Sequence, residues 1–406
     1  MRLKTELLVV GAGPGGTATA ISALRKGGKV LIVDRKTNVG VPVQCGEAIG
    51  KTGPGLAEIE IPENSKVNPI RGFRIYSPNL TKVDYAKSEP DGYIIDRRIF
   101  DKELLAKACE MGAEVLVGAN VTDLLYKNDR ISGVVARRFG EKVEIEAEVV
   151  VGADGVNSTI AKLSGLRKSI KVKDIESCAQ YEMVGVQIDD VDLLEFYLGK
   201  QVSPRGYVWV FPKSENRANI GLGIGGGMGE KTAFEYLQHF IKHNSRGKEI
   251  CKKAKAIEFR VGAIPLGGPN PKNVLDNLML VGDAAGQVHP ITGGGMGYAM
   301  VCGSIAGKVA VEAITEGDTS EEALSLYEEL WLEKYGKEFE QMLKLQRLLA
   351  EAEDKLLDKL AQVLTGQNVV ELTAGKKIGV FLKAAAKGDK QLLRLLNQLR
   401  NLQLVQ

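Results

Sequence analysis

Aromatic residues are scarce in this 406-residue chain, 6% in all, with tryptophan only at Trp209 and Trp331, and neither sign of charge is in excess. Fifty-four Lys and Arg against 51 Asp and Glu leave a formal net charge of +3. That balance excludes a nucleic-acid polyelectrolyte, and 44% hydrophobic with 26% charged residues excludes a disordered chain. The five cysteines, Cys45, Cys109, Cys178, Cys251 and Cys302, contain no Cys-x-x-Cys pair. Neither a metal site nor a disulfide framework is expected, and a reducing, cytosolic setting fits. No uninterrupted run of ~18 apolar residues occurs, and the N-terminal apolar stretch ends at Gly11, so neither a transmembrane helix nor a signal peptide is predicted. Glycine is abundant, with 47 residues. It serves where a backbone turns sharply or approaches a ligand closely, and it points to a phosphate-bearing cofactor.

The length allows two or three domains. An apolar, β-branched run at Leu7 to Val10, a glycine turn, a helical stretch from Pro14 to about Gly27 and a second run at Val30 to Val33 read as a βαβ unit. Short alternating segments broken by Pro69, Pro78 and Pro90 follow, then a helix over Asp96 to Gly112 and four strands between Glu114 and Val151. Residues from about 168 to 265 are again strand-rich, and Asn277 to Ala313 gives strand, glycine turn and helix. The expected fold is therefore α/β: a Rossmann-like cofactor domain (1–60, 95–166 and 265–320) interleaved with an antiparallel-sheet substrate domain (61–94 and 167–264). A helical domain is expected over 321–406, where Leu, Glu, Lys, Ala and Gln dominate. In its last part, Gly375 to Gln406, seven basic residues stand against Asp389 alone. Two readings stay open for it: a solvated helix face packed on the body, or a helix on an anionic membrane surface.

Gly11-Ala-Gly13-Pro-Gly15-Gly16 matches G-x-G-x-x-G, which lets a turn approach a pyrophosphate at a helix N-terminus. A second match, Gly221-Leu-Gly223-Ile-Gly225-Gly226, has no βαβ unit around it. Only the first follows a buried strand, opens a helix and is followed by an acid, Asp34, at the end of the next strand, where a carboxylate accepts ribose hydroxyls. Val149-Val-Val-Gly152-Ala153-Asp154-Gly155 and Leu278-Met-Leu-Val-Gly282-Asp283 each put an apolar strand before a small, acidic turn. With these three fingerprints in order, the chain resembles the flavoprotein hydroxylase and reductase superfamily. The resemblance implies FAD as cofactor, with Asp283 on its ribityl chain and further contacts from Cys45, Gly46, Ala48, Arg97, Val121, Asp154, Gly295 and Met296. By the same residues, Asp154 could equally be a structural turn acid. The glycines before the helix at Met296 would aim N–H groups and a positive dipole end at the flavin's pyrimidine edge, whereas His289 reads more simply as a packing residue.

Pro204-Arg-Gly-Tyr207-Val-Trp209-Val-Phe211-Pro212 carries aromatics at i, i+2 and i+4, which a strand turns to one face. An ordinary sheet core would use the same spacing. The whole pattern, however, together with Val43-Gln44-Cys45-Gly46-Glu47-Ala48-Ile49, is similar to the signature of the geranylgeranyl reductase family, and to its archaeal branch acting on digeranylgeranyl glycerophospholipids above the chlorophyll-type branch. The resemblance spans residues 1 to about 310. It implies saturation of isolated prenyl double bonds, with Tyr207, Trp209 and Phe211 against the chain and Cys45, Glu47 and Tyr207 as positioning or proton-handling candidates. An unperturbed thiol is a poor acid for an alkene, so the proton donor is unassigned, and Cys45 could equally be a small apolar filler.

The rivals are a flavin monooxygenase and a non-catalytic prenyl-lipid carrier. Halogenase chemistry is disfavoured because the Trp-x-Trp element is missing. The expected partners are a prenylated lipid, an electron donor (reduced ferredoxin, a deazaflavin or NADPH) and an anionic membrane surface, without nucleic acid. The expected location is the cytoplasm, peripheral on the inner face of the cell membrane.

Overall fold

The parallel strands Arg2–Val10 and Val30–Asp34 pair in register from Leu7 opposite Val30, as the βαβ pattern requires. We describe them in a computed structural model that covers residues 1–367 together with Lys390 and Leu393. Glu114–Val117 extends this sheet beyond Val30–Asp34, and Glu141–Gly152 and Leu278–Leu280 extend it on the other side, all parallel. The chain order therefore reverses at Arg2–Val10, and the crevice at the C-terminal end of that strand is the place where such sheets bind dinucleotides. An antiparallel pair, Ala119–Lys127 and Arg130–Arg138, is appended at the edge of Glu141–Gly152.

Two helices cross tightly beneath the glycine turn. Pro14–Arg25 lies against Met296–Glu316 so closely that a Cβ on Gly303 would stand 2.2 Å from the Gly15 carbonyl oxygen, and one on Gly307 2.2 Å from that of Thr19. The buried hydroxyls of Ser22 and Ser304, 2.6 Å apart, satisfy each other in the same interface. Met296–Glu316 has the length and apolarity to cross a membrane, but most of it is buried in this core.

The second sheet has seven strands, of which Ile175–Val184, Val208–Ser214 and Arg217–Gly225 form the centre. One face is covered by the amphipathic helix Ala233–His243, whose Leu237 and Phe240 pack on Val208 and Val210. The other face carries Trp209 and Phe211 and meets a small three-stranded sheet of Ala48–Gly50, Lys66–Ile70 and Gly92–Ile95. Pleat alternation in Val208–Ser214 produces this division, as the i, i+2, i+4 spacing predicts.

The C-terminal region is helical, with Glu321–Glu351 and Asp354–Leu364, but it does not build a core of its own. Leu324, Tyr327, Trp331 and Phe339 join the Rossmann-like core that holds Leu7 and Val9. The Tyr327 hydroxyl donates to the Leu280 carbonyl and accepts from Gln287. Burying four large side chains in this way attaches the helix Glu321–Glu351 to the cofactor sheet. The basic stretch 375–406 lies outside the described residues apart from Lys390 and Leu393.

Candidate functional site

The glycine turn is built for close approach. A Cβ on Gly11, at φ +111°, would stand 2.3 Å from the Ala153 carbonyl oxygen, and one on Gly16 1.8 Å from the Gly11 carbonyl oxygen. Gly13, by contrast, has open space where its Cβ would be. The Asp34 carboxylate is fixed beside the turn by the main-chain N–H groups of Ala12 (2.8 Å) and Lys36 (2.7 Å). Across the crevice, Asp283 is half-buried; its carbonyl accepts from the Arg167 guanidinium (3.4 Å), while its carboxylate receives no hydrogen bond from another residue among those described. Burial pushes its carboxyl up, against the pull of Arg97 and Arg167. A Cβ on Gly295, the residue before the helix at Met296, would come 3.2 Å from Asp283 Oδ1. Open space at Gly13, an unshared carboxylate at Asp283 and a pinned carboxylate at Asp34 suit a dinucleotide with phosphates and two polyol chains.

Arg97 begins the helix Arg97–Glu110, capped by Asp96. Its guanidinium holds both oxygens of Asp101, each at 2.8 Å, and lies beside the Cys45 thiol. The Cys45-Gly46-Glu47 loop is tied down at every residue. Gln180 donates to the Cys45 carbonyl (3.2 Å), Asn219 to that of Gly46 (3.0 Å), and the Glu47 N–H points to the Cys45 sulfur (3.2 Å). Gln180 also accepts the Trp209 indole N–H at 2.7 Å, so the aromatic wall and the cysteine loop share one side chain. Ala48, Phe196 and Tyr207 pack on the Trp209 and Phe211 cluster.

The packing gives three of the expected site residues specific surroundings. Glu47 is fully buried, and its carboxylate accepts from Lys213 (2.7 Å), Arg260 (2.8 Å), Asn219 (2.8 Å) and the Arg97 N–H (3.0 Å). Burial alone would raise its pKa, but Lys213 and Arg260 outweigh that and hold it below the usual carboxylate range. A permanently ionised group of this kind is an anchor and not a proton donor. Asp154 spends one oxygen on the Ser158 hydroxyl (2.7 Å) and the other on the Ile160 N–H (3.0 Å), organising the helix Thr159–Leu163. The Val121 side chain is buried in the core of the cofactor sheet with Leu8 and Val10, so only its main chain is available to a ligand.

Tyr207 donates its hydroxyl to the Thr292 carbonyl, and burial raises its pKa well above the ordinary value, with Glu176 and Cys178 adding to the shift. It therefore stays protonated and fastens the 289–293 loop to the aromatic wall. His289 organises that loop from within, its Nδ1 accepting the N–H groups of Ile291 and Thr292.

Sequence reasoning missed Gln180, Lys213, Asn219, Arg260 and Glu182. Glu182 accepts from Lys213 (3.1 Å) and Arg260 (2.7 Å) and completes a buried ion cluster with Glu47. A signal was present: Glu176, Cys178, Gln180 and Glu182 alternate along Ile175–Val184, making one face of a buried strand polar. The second glycine motif also gains a role. A Cβ on Gly221 would meet the Trp209 ring at 2.5 Å and one on Gly223 the Glu176 carboxylate at 1.9 Å, so these glycines clear space for the wall.

Comparison with known proteins agrees with this geometry. Residues 4–215 match the FAD binding domain family, and residues 174–264 the geranylgeranyl reductase catalytic domain. The digeranylgeranylglycerophospholipid reductase of Methanocaldococcus jannaschii is 42% identical over 361 residues, 88% of this chain and 90% of that one. The digeranylgeranylglycerophospholipid reductase 2 of Methanopyrus kandleri is 38% identical over 393 residues, 97% of this chain and 98% of that one. A geranylgeranyl bacteriochlorophyll reductase-like crystal structure from Thermoplasma acidophilum superposes with a TM-score of 0.89 at 32% identity, covering 99% of this chain and 100% of the other.

Proposed function

The chain belongs to the geranylgeranyl reductase family of FAD-dependent oxidoreductases, and we propose that it saturates the isolated double bonds in the geranylgeranyl chains of an ether-linked glycerophospholipid. The observation that carries this reading is the seating of the Cys45-Gly46 loop, at the mouth of the cofactor crevice, directly against Trp209 and Phe211. A Cβ on Gly46 would come 2.8 Å from the Phe211 ring and 3.8 Å from the Trp209 indole nitrogen.

Gly11, Gly13, Gly16 and Asp34 would hold the adenosine and pyrophosphate end of FAD, and Asp283, Gly295 and Arg97 the ribityl and ring end. Bound there in its reduced form, FAD supplies a hydride. An isolated trisubstituted alkene has no electron-withdrawing group, so hydride addition alone would leave an unstabilised carbanion. Proton uptake therefore leads or accompanies it, building tertiary cationic character on the substrate. The faces of Tyr207, Trp209 and Phe211 favour that charge, and the packed wall keeps water from quenching it. Cys45, held between Arg97 and the Glu47 N–H, positions the chain at the crevice.

Electrons come from a reduced ferredoxin, a deazaflavin or NADPH. The enzyme meets its lipid as a peripheral protein on the cytoplasmic face of an anionic membrane. An exposed apolar stripe supports this: Ile257 (54%), Phe259 (46%) and Val261 (56%) project from the edge strand Lys255–Pro265, beside Phe234 and the exposed Lys252, Lys253 and Lys255. Apolar side chains rimmed by lysines suit an anionic bilayer. The test of the reading is anaerobic: dithionite-reduced holoenzyme mixed with a geranylgeranyl glycerophospholipid reoxidises, and the lipid gains two hydrogens per event. Absence of reoxidation would overturn it.

A further inference from the structure

Buried carboxyl groups at the inner face of the seven-stranded sheet stand in opposite surroundings. Glu47 is surrounded by cations, as described. Glu176, on the strand Ile175–Val184, is 4% exposed, and its carboxyl oxygens take no hydrogen bond among the described residues. Space has been cleared for it: ideal Cβ atoms on Gly206 and Gly223 would stand 2.8 and 1.9 Å from its Oε1. It lines a cavity of ≈130 Å³ together with Tyr207, Leu266, Ile291, Leu349 and Leu357. This cavity lies between the loop that Tyr207 fastens and the C-terminal helices, and Tyr207, which packs on the Trp209 and Phe211 cluster, is the aromatic that borders it. Its walls are largely hydrocarbon, as a prenyl chain requires.

We propose that Glu176 is the acid of the reaction, holding in this cavity the proton that the prenyl double bond takes up. The inference rests on the alkene-reductase reading above. Saturation adds two hydrogens across one C=C bond. The hydride, carrying both electrons, arrives from the reduced cofactor, which is left oxidised. The proton leaves the Glu176 O–H for the other alkene carbon, and the resulting carboxylate regains a proton from solvent after product leaves. An unpaired carboxylate in a hydrocarbon-lined cavity is costly, so the group is kept neutral and ready to donate. Buried carboxyls with environments that drive their protonation apart are a recurrent way to assign an acid. Tyr207, already donating to the Thr292 carbonyl, bounds the cavity and orients the chain against the acid.

The groups facing Glu176 are few. Arg205 precedes the aromatic strand and lowers its pKa, but its guanidinium is directed to the Lys173 carbonyl. Cys178 neighbours it on its own strand, the adjacent strand Arg217–Gly225 presents glycine there, and Tyr207, at the start of the strand beyond, faces it across that glycine. The strand Lys255–Pro265 pairs it with Ile264, and Lys200 and Asp354 line the far part of the cavity. Burial dominates and lifts Glu176 to about 7.

The test is single-turnover reoxidation of reduced holoenzyme by a geranylgeranyl glycerophospholipid across pH, with Glu176→Gln and Glu176→Asp, beside an infrared titration of the carboxyl band without substrate. Wild-type protein is expected to show a carboxyl band lost near pH 7 and absent in Glu176→Gln, and a reoxidation rate that falls over the same interval. Glu176→Gln, with FAD content and lipid affinity retained, is expected to reoxidise at least ~100-fold more slowly with that limb abolished, the scale of a lost general acid. Glu176→Asp keeps the limb at a reduced rate. An unchanged rate in Glu176→Gln, a slowed rate with the limb intact, or a wild-type carboxylate already ionised at pH 5 would each overturn the assignment. Wild-type enzyme that is never reoxidised would instead overturn the alkene-reductase reading beneath it.

Discussion

Gly46 and Phe211 are packed so that nothing larger than hydrogen fits between them: a Cβ on Gly46 would stand 2.8 Å from Phe211 Cε2 and 3.1 Å from its Cδ2. The cysteine loop and the aromatic wall are therefore one surface, and the width of the slot they border depends on this contact. Gly46→Ala is expected to push the Phe211 ring into the slot. The variant should keep its FAD and yellow colour while lipid turnover falls at least ~10-fold. Flavin absorbance and steady-state lipid reduction, measured on the same sample, check this.

Cys45 lies between Arg97 and the wall, with its carbonyl on Gln180. Cys45→Ala is expected to lower turnover and leave the melting temperature unchanged, because the sulfur's partners are one main-chain N–H and the Arg97 guanidinium, and Arg97 keeps both oxygens of Asp101. Unaltered turnover would show that Cys45 only fills space.

Glu47 anchors the loop through Lys213 and Arg260. Glu47→Gln removes one of the two carboxylates that Lys213 and Arg260 share and leaves Glu182 alone between them, a loss of up to ~3–5 kcal/mol by comparison with broken buried ion pairs. The sign of the pH dependence follows from the depressed pKa in the folded state. The stabilisation is fully present above the unfolded value of ~4.3 and is lost as pH falls through the lower folded value. Urea denaturation of wild type and Glu47→Gln should therefore differ most near neutrality and converge in acid.

Gly303 lets the helices Pro14–Arg25 and Met296–Glu316 touch, with 2.2 Å from its ideal Cβ to the Gly15 carbonyl. Gly303→Ala separates them, at ~1–3 kcal/mol for overpacking. Since Gly15 belongs to the phosphate turn, FAD affinity should weaken together with stability, a pairing that isothermal titration and thermal melts detect.

On the exposed stripe, Ile257→Ser with Phe259→Ser is expected to weaken sedimentation with anionic liposomes and leave turnover of detergent-dispersed lipid intact. Salt should weaken wild-type binding through Lys252, Lys253 and Lys255.

Much of this was legible in the residues. The βαβ start and the shared face of Tyr207, Trp209 and Phe211 follow from period and spacing, which local sterics impose. What was not legible depends on partners distant in sequence. Glu47 reads as a candidate acid until Lys213 and Arg260 are brought to it from other strands. Asp154 reads equally as a cofactor contact or a turn acid until Ser158 and Ile160 are seen to take its two oxygens. Glu176 drew no attention, because its distinction is the lack of a partner, and a sequence does not display isolation. Gly221 and Gly223 resembled a phosphate loop, and only the sheet reveals that they make room for Trp209 and Glu176.

The most direct measurement is a diffraction structure of the FAD-loaded enzyme with a geranylgeranyl glycerophospholipid bound. One prenyl double bond is expected between the flavin ring and the wall of Trp209 and Tyr207, within reach of the Glu176 carboxyl, with the rest of that chain along the Glu176-lined cavity. A chain lodged elsewhere, or a flavin ring remote from Trp209, would contradict this placement.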